Sequence, residues 1–152
     1  MSVETVKNFL KENSLINDYL EFSTSSATVE LAAQAIGCEE SQIAKSLALK
    51  TSSGPIVIVV MGSARIDNKK FKEIFNEKAK FLQGEEVLNH TGHPIGGVCP
   101  FGLKKDVKLY LDESLKAYDI IYPAAGACNN AVKISINDLE KITNADWVDV
   151  CK

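Results

Sequence analysis

The chain has 152 residues, 45% hydrophobic and 24% charged, with a formal net charge of −3 and a pI near 5.4. That length and composition suit a single folded domain, residues 1–152, whose core needs no disulfide or metal staple. The acidic balance argues against a protein that grips duplex DNA or other duplex nucleic acid along its backbone, and no run approaches the ~20 apolar residues of a membrane span.

Residues 1–13 alternate charged and apolar side chains and lack a signal peptide's apolar core, so a cytoplasmic location with reduced thiols is the expectation. Ser2 is placed to cap a first helix with Val6 and Leu10 on one face. Leu20–Ser23 reads as a short strand. Thr28 caps a second helix that Gly37 closes. Ile43–Lys50 alternates like a strand, Thr51–Pro55 reads as a turn, and the β-branched run Ile56–Met61 reads as a buried partner strand. Asp67 is the expected N-cap of a helix carrying Phe71, Ile74 and Phe75. Lys80–Leu82 is a brief strand and Gly84–Asn89 a helical turn. Further strands are expected at Val107–Leu111, Ile120–Tyr122 and Val132–Ile136, with a last helix starting at Asn137 or Asp138 and Trp147–Val150 closing the chain. This irregular interleaving favours a mixed sheet or distorted barrel with peripheral helices over a regular parallel α/β fold.

Three segments break the ordinary pattern. The first is Gly92–Gly102, which holds four of the nine glycines and two of the four prolines. Glycine permits close backbone approach and positive φ, and proline stiffens the path on either side. Such a loop can present N–H groups to an anion or a developing oxyanion, or simply pack as a tight turn. The second is Lys45. On Ile43–Lys50 it shares a face with Ile43, Leu47 and Leu49, so an ammonium lies among core-type residues. It must snorkel, find a partner or line a ligand cavity, where phosphate or carbonyl oxygen would suit it. The third is Tyr122–Asn130, rich in small residues between two strand-like runs.

Other residues carry weaker signals. Cys38, Cys99, Cys128 and Cys151 form no Cys-x-x-Cys pair, so a zinc site is not expected. His90 and His93 could share a metal only with a third ligand from elsewhere, and His93 reads as a hydrogen-bonding loop residue. A nucleophilic Cys99 or Cys128 has no visible means of lowering its pKa. The lysine groups Lys69, Lys70, Lys72 and Lys104, Lys105, Lys108 read as solvated faces.

Lys45 in Ile43-Ala44-Lys45-Ser46-Leu47, the Gly96–Pro100 loop and the Gly126 turn before Val132-Lys133-Ile134-Ser135 come in an order and spacing that resembles the YbaK/prolyl-tRNA-synthetase-associated editing domain. Asp67-Asn68-Lys69-Lys70 and Asp138–Ala145 extend the resemblance over nearly the whole chain. It implies a mixed α/β fold with a mostly antiparallel, barrel-like sheet and peripheral helices. It also implies hydrolysis of the ester joining a wrong amino acid to tRNA, often in trans, with no metal, no cofactor and no acyl-enzyme. The partners implied are the aminoacyl-tRNA acceptor end and an aminoacyl-tRNA synthetase. Within it the catalytic candidates are Lys45, Gly96, Gly97, Val98 and Gly126. The substrate-binding candidates are Lys45, His93, Cys99, Pro100, Ala127, Cys128 and Asn129. Ala127-Cys128-Asn129-Asn130 lacks the histidine of alanine-editing members, and Gly96-Gly97-Val98-Cys99-Pro100 departs from the Gly-Gly-Ile-Ser-Pro of cysteine-editing members. The amino acid removed therefore stays open. Two other readings stand beside this one: a non-catalytic module binding a tRNA end or a synthetase, and a hydrolase using Cys99.

Overall fold

The computed structural model describes residues 2–26 and 28–152. Its helices are α1 (Ser2–Glu12), α2 (Val29–Ile36), α3 (Asn68–Phe75), α4 (Glu85–Thr91) and α5 (Ile136–Thr143). Its strands are β1 (Tyr19–Glu21), β2 (Ile43–Thr51), β3 (Gly54–Met61), β4 (Lys108–Asp112), β5 (Ile120–Pro123), β6 (Asn130–Val132), β7 (Ile134–Ser135) and β8 (Asp146–Val148). Six strands form one sheet in the order β7-β5-β2-β3-β4-β8, and β1 and β6 form a small antiparallel pair. The long β2–β3 pairing and β5–β7 are antiparallel, while β2–β5, β3–β4 and β4–β8 are parallel. Antiparallel pairing covers most of the paired length. The result is the expected mixed α/β fold, a curled, mostly antiparallel half-barrel ringed by helices.

Strand β3 is buried on both faces, which its continuous β-branched run requires. Ile56, Ile58 and Val60 pack with Leu49, Phe71 and Val150 on one side. On the other, Val59 joins Val6 and Leu10 of α1, Phe101, Leu111 and Leu139. The helices are set by their caps. Thr28 accepts from the Leu31 N–H, and Asp67 accepts from the N–H groups of Lys69 and Lys70.

Four local readings are corrected. The β2–β3 turn shrinks to Ser52–Ser53, because the pairing runs on to Thr51↔Gly54. Pro55 fits in β3 because its partner Lys50 sends its N–H away from β3, to the Lys80 carbonyl. The run Val132–Ile136 splits into β6, paired with β1, and β7, paired with β5. Lys133 forms the break, its N–H going to the Asp18 carbonyl. The last helix starts one residue earlier, with Ser135 accepting from the Asp138 N–H. The Ser2 hydroxyl, finally, does not serve its helix but reaches His93 and Gly126.

Phe71 is fully buried, and its ring centroid lies 4.6 Å from that of Phe75. Phe71→Ala should lower unfolding free energy by about 3–5 kcal/mol, since no neighbour can collapse into the space of a phenyl ring without disturbing β3. Urea unfolding measures this, and an unchanged midpoint would show that α3 does not hold this face of the sheet.

Candidate functional site

The site begins with an interruption in the sheet. Strand β5 pairs with β2 only at Ile43↔Tyr122 and Ala44↔Pro123. Residues 80–82 take up the same edge further along, where the Leu82 N–H donates to the Ala48 carbonyl (3.0 Å) and the Lys50 N–H to the Lys80 carbonyl (2.9 Å). Between these two partners the edge of β2 at 45–47 is uncovered. A cleft of about 330 Å³ opens there. β2 forms its floor, Val29 and Ala32 of α2 one wall, Ala124, Asn130 and Ala131 another, and Phe81, Leu82, Ile95, Gly96 and Val98 the rim. The lining is mostly apolar with a few polar groups, the usual make-up of a small-ligand site. Lys45 is the one charged residue among the described residues that line it.

Lys45 is half-buried, and its Nζ donates to the Ala64 carbonyl at 2.8 Å. That bond occupies one of three ammonium donors. Burial pushes its pKa down from 10.5; Cys151 acts in the opposite sense and Arg65 in the same one. The cation is therefore anchored at one donor by a backbone oxygen, with donors left for a ligand.

The glycine-rich segment folds over the cleft. Gly96 adopts a positive φ of 84°, and the Gly97 N–H closes a turn on the Pro94 carbonyl at 2.9 Å. The N–H groups of Gly96 and Val98 have no partner within the described residues, and both residues line the cleft. Gly97 has a different part. A Cβ there would lie 2.7 Å from the Ala127 nitrogen and the Gly126 carbonyl carbon, so the loop rests backbone to backbone on the Gly126 turn. Gly126, with φ of 99°, is pressed in turn against Ser2 and Val6 of α1.

None of the remaining expected site residues lines the cleft. His93, Cys99 and Pro100 are buried and do not line the cleft. His93 Nε2 donates to the Phe101 carbonyl at 2.7 Å, and Nδ1 lies 2.6 Å from Ser2 Oγ. Burial lowers its pKa below 6.5, which favours the neutral ring with its proton on Nε2, and the single Ser2 hydroxyl proton lies between Nδ1 and the Gly126 carbonyl, 2.8 Å from Ser2 Oγ. The ring thus ties α1 to both ends of the loop. Burial pushes the Cys99 thiol up to about 12, and the thiol donates to the Phe101 carbonyl at 3.5 Å. A thiol held protonated in the core is no nucleophile, so the Cys99 hydrolase reading is set aside. Ala127 lies in the Gly126 turn, with its N–H taken by Asn130 Oδ1 at 3.2 Å. The Cys128 side chain is exposed, and its carbonyl accepts from Ser26 Oγ at 3.1 Å. Asn129 Nδ2 donates to the Phe22 carbonyl at 3.3 Å. Cys128 and Asn129 therefore hold the strand that leads to Ser26 at the cleft wall.

Sequence reasoning missed Asn130. This buried amide accepts from the N–H groups of Ala125 and Ala127 and donates to Tyr19 Oη and the Ala125 carbonyl. All four of its hydrogen-bonding sites are filled, which sets the shape of the turn that carries Gly97. The Asn-Asn pair held a signal for a turn but nothing to say which amide faces inward.

This chain matches the model of the aminoacyl-tRNA editing domain over residues 24–142. It belongs to that family. It is 45% identical over 154 residues to the uncharacterized protein YwhH of Bacillus subtilis, across 100% of this chain and 98% of that one. It is 28% identical over 131 residues, 85% of this chain and 80% of the relative, to an Enterococcus faecalis protein named "Putative Cys-tRNA(Pro)/Cys-tRNA(Cys) deacylase EbsC". A crystal structure described as "a putative trans-editing enzyme for prolyl tRNA synthetase" superposes with a TM-score of 0.89 at 30% identity, over 99% of this chain and 97% of the other. The editing domain also resembles part of the proline–tRNA ligase of Thermosipho melanesiensis, 29% identical over 81% of this chain and 22% of the ligase.

The Ser2–His93–Phe101 tie in this editing domain has a pH signature. Because burial lowers the folded-state pKa of His93, the unfolded chain takes up a proton first as pH falls below 6.5. Stability is therefore full above 6.5 and declines as pH falls toward the folded-state value, by up to about 1.4 kcal/mol per pH unit from this group. His93→Gln should be less stable at pH 8 and should show a flatter decline between pH 6.5 and 5 in urea titrations. An equally steep decline in the variant would remove His93 as its source.

Proposed function

We propose that this editing domain is a trans-acting aminoacyl-tRNA deacylase, which hydrolyses the ester between a wrongly attached amino acid and the terminal ribose of tRNA. The reading is carried by one observation: Lys45, with a half-buried ammonium, and Gly96 and Val98, whose backbone N–H groups have no partner among the described residues, line the same apolar cleft. An aminoacyl ester is already activated, so no protein nucleophile is needed. Water, or a group of the substrate itself, attacks the acyl carbon. The electron pair of the C=O bond moves to oxygen as the tetrahedral adduct forms. It returns as the bond to the ribose oxygen breaks, and that oxygen takes up a proton. With water as the attacking group, free amino acid and intact tRNA leave.

Two tasks fall to the protein, orientation of the ester and stabilisation of the oxyanion. The N–H groups of Gly96 and Val98 are assigned to the oxyanion, where loss of one donor costs on the order of 10²–10³ in rate. Lys45 is assigned to the terminal phosphate or the acyl carbonyl. Gly97 and Gly126 act as positioning residues, because their contact sets where the Gly96 and Val98 amides point. His93, Cys99 and Pro100 support the loop from behind, and Ala127, Cys128 and Asn129 brace the opposite wall. An acidic protein suffices for this task, since only the acceptor end of the tRNA must be held. A synthetase that supplies the mischarged tRNA is the natural protein partner.

Lys45→Ala should slow deacylation of a misacylated tRNA by on the order of tenfold or more, because orientation is lost while the fold remains. Its melting temperature should stay close to the parent's, since the substitution removes a partly desolvated charge and one backbone contact. Deacylation rates across tRNAs mischarged with alanine, cysteine, serine and threonine, with a thermal melt alongside, measure both effects. Equal activity in variant and parent would refute the role given to Lys45.

A further inference from the structure

One residue of the cleft has no part in the scheme above. Ser46 lies on the floor of the cleft, and its Oγ is buried without a hydrogen-bond partner among the described residues. Buried polar groups in folded proteins nearly always have partners, so an orphan hydroxyl beside a cleft needs a reason. The main chain of Ser46 is in the same condition. Ala44 pairs outward with Pro123, and Ala48 and Lys50 turn their polar groups outward to residues 80–82. Strand alternation sends the N–H and C=O of Ser46 in that same outward direction, where neither neighbour reaches. The side chains flanking it on its face are Ala44 and Ala48, with Val98 and Leu82 nearby in the lining.

Resting on the deacylase reading, we propose that the aminoacyl group docks against β2 as a one-residue strand opposite Ser46, and that Ser46 Oγ reads a hydrogen-bonding atom on its β-carbon. In this register the α-amino group donates to the Ser46 carbonyl and the acyl carbonyl accepts from the Ser46 N–H, the exchange made by a hydrogen-bonded antiparallel pair. Main-chain bonds to a free strand edge hold the ligand, and the side-chain position beside it selects it. As that oxygen becomes an oxyanion with three lone pairs, two are left for the Gly96 and Val98 amides. Residues opposite each other in such a pair carry their side chains on the same face, roughly 4.5–5.5 Å apart at Cβ. A hydroxyl on the β-carbon of an L-amino acid then comes within reach of Ser46 Oγ. No bond to a described residue holds the Ser46 χ1 rotamer, so the hydroxyl can turn toward it. A D-amino acid in the same register puts its substituent on the opposite face. Alanine leaves the Ser46 hydroxyl an orphan. A site with one unpaired polar atom discriminates strongly against ligands that cannot pair with it. The cleft is thereby matched to L-aminoacyl groups that carry a polar β-substituent, and Ser46 is the residue that determines this specificity.

The test charges one tRNA in turn with L-serine, L-alanine and D-serine and measures kcat/KM for the parent, S46A and S46T. The parent should prefer the L-seryl ester to both others. S46A should lower kcat/KM for L-seryl at least about tenfold more than for L-alanyl, and S46T, which keeps the hydroxyl, should restore the preference. Equal losses on the two L-esters would make Ser46 a general support and overturn the proposal. So would an unchanged ratio, or a D-seryl ester cleaved as fast as its L counterpart. If the parent cleaves no mischarged tRNA at all, the deacylase reading falls first and this assignment falls with it.

Discussion

Strand β2 has its backbone fully paired along one side and only partly along the other. Toward β3 the ladder runs unbroken from Ala44 to Thr51. On the outer side β5 departs after Ala44, and residues 80–82 arrive only at Ala48. Unpaired backbone in a core is costly, so a protein that leaves such a gap must either fill it with water or ligand or roof it over. Here the roof is the glycine-rich loop and the wall is α2. The cleft, the half-buried cation and the free amides all follow from where two neighbouring segments stop pairing.

A gap of this kind is useful only if its surroundings do not collapse into it. The loop is prevented from sagging by contacts with the turn at the cleft's wall and with α1. Gly97 sits on the Gly126 turn at a separation that admits no side chain. Asn130 fills every hydrogen-bonding site of its amide to hold that turn in shape. His93 joins the Phe101 carbonyl to Ser2 at the start of α1. Lys45, Ser46, Gly96 and Val98 thus make few side-chain or loop bonds to the described residues, while Asn130 and His93, which hold their surroundings, make several. That division is expected of a site that must be held in place before its substrate arrives.

Local rules carried much of the fold. Caps at Thr28 and Asp67, left-handed closure at Gly37 and the buried β3 run were all legible, because each depends on residues a few positions apart. Pro55 was misread because its acceptability depends on which side of β2 the Lys50 N–H faces. The split between β6 and β7 was misread for the same kind of reason, since it rests on the distant Asp18 carbonyl. At the site, strand parity singled out Lys45 correctly as a residue on a core-type face, and it does line the cleft. Parity said nothing of Ser46, whose oddity is a missing partner among the described residues and becomes visible only in three dimensions.

By itself the sequence determined most of the helices and the central strands, the cation among apolar neighbours and a loop able to offer bare amides. These follow from side-chain periodicity and from the backbone freedom of glycine, which act over short spans. It also carried a family pattern spread over nearly its whole length. Only the tertiary structure decided which glycines face the cleft and which face each other, that His93 and Cys99 are sealed behind the loop, and that the edge of β2 is open at Ser46. Those are questions of which polar groups find partners across the fold, and the answer depends on residues as far apart as Ser2, His93 and Gly126.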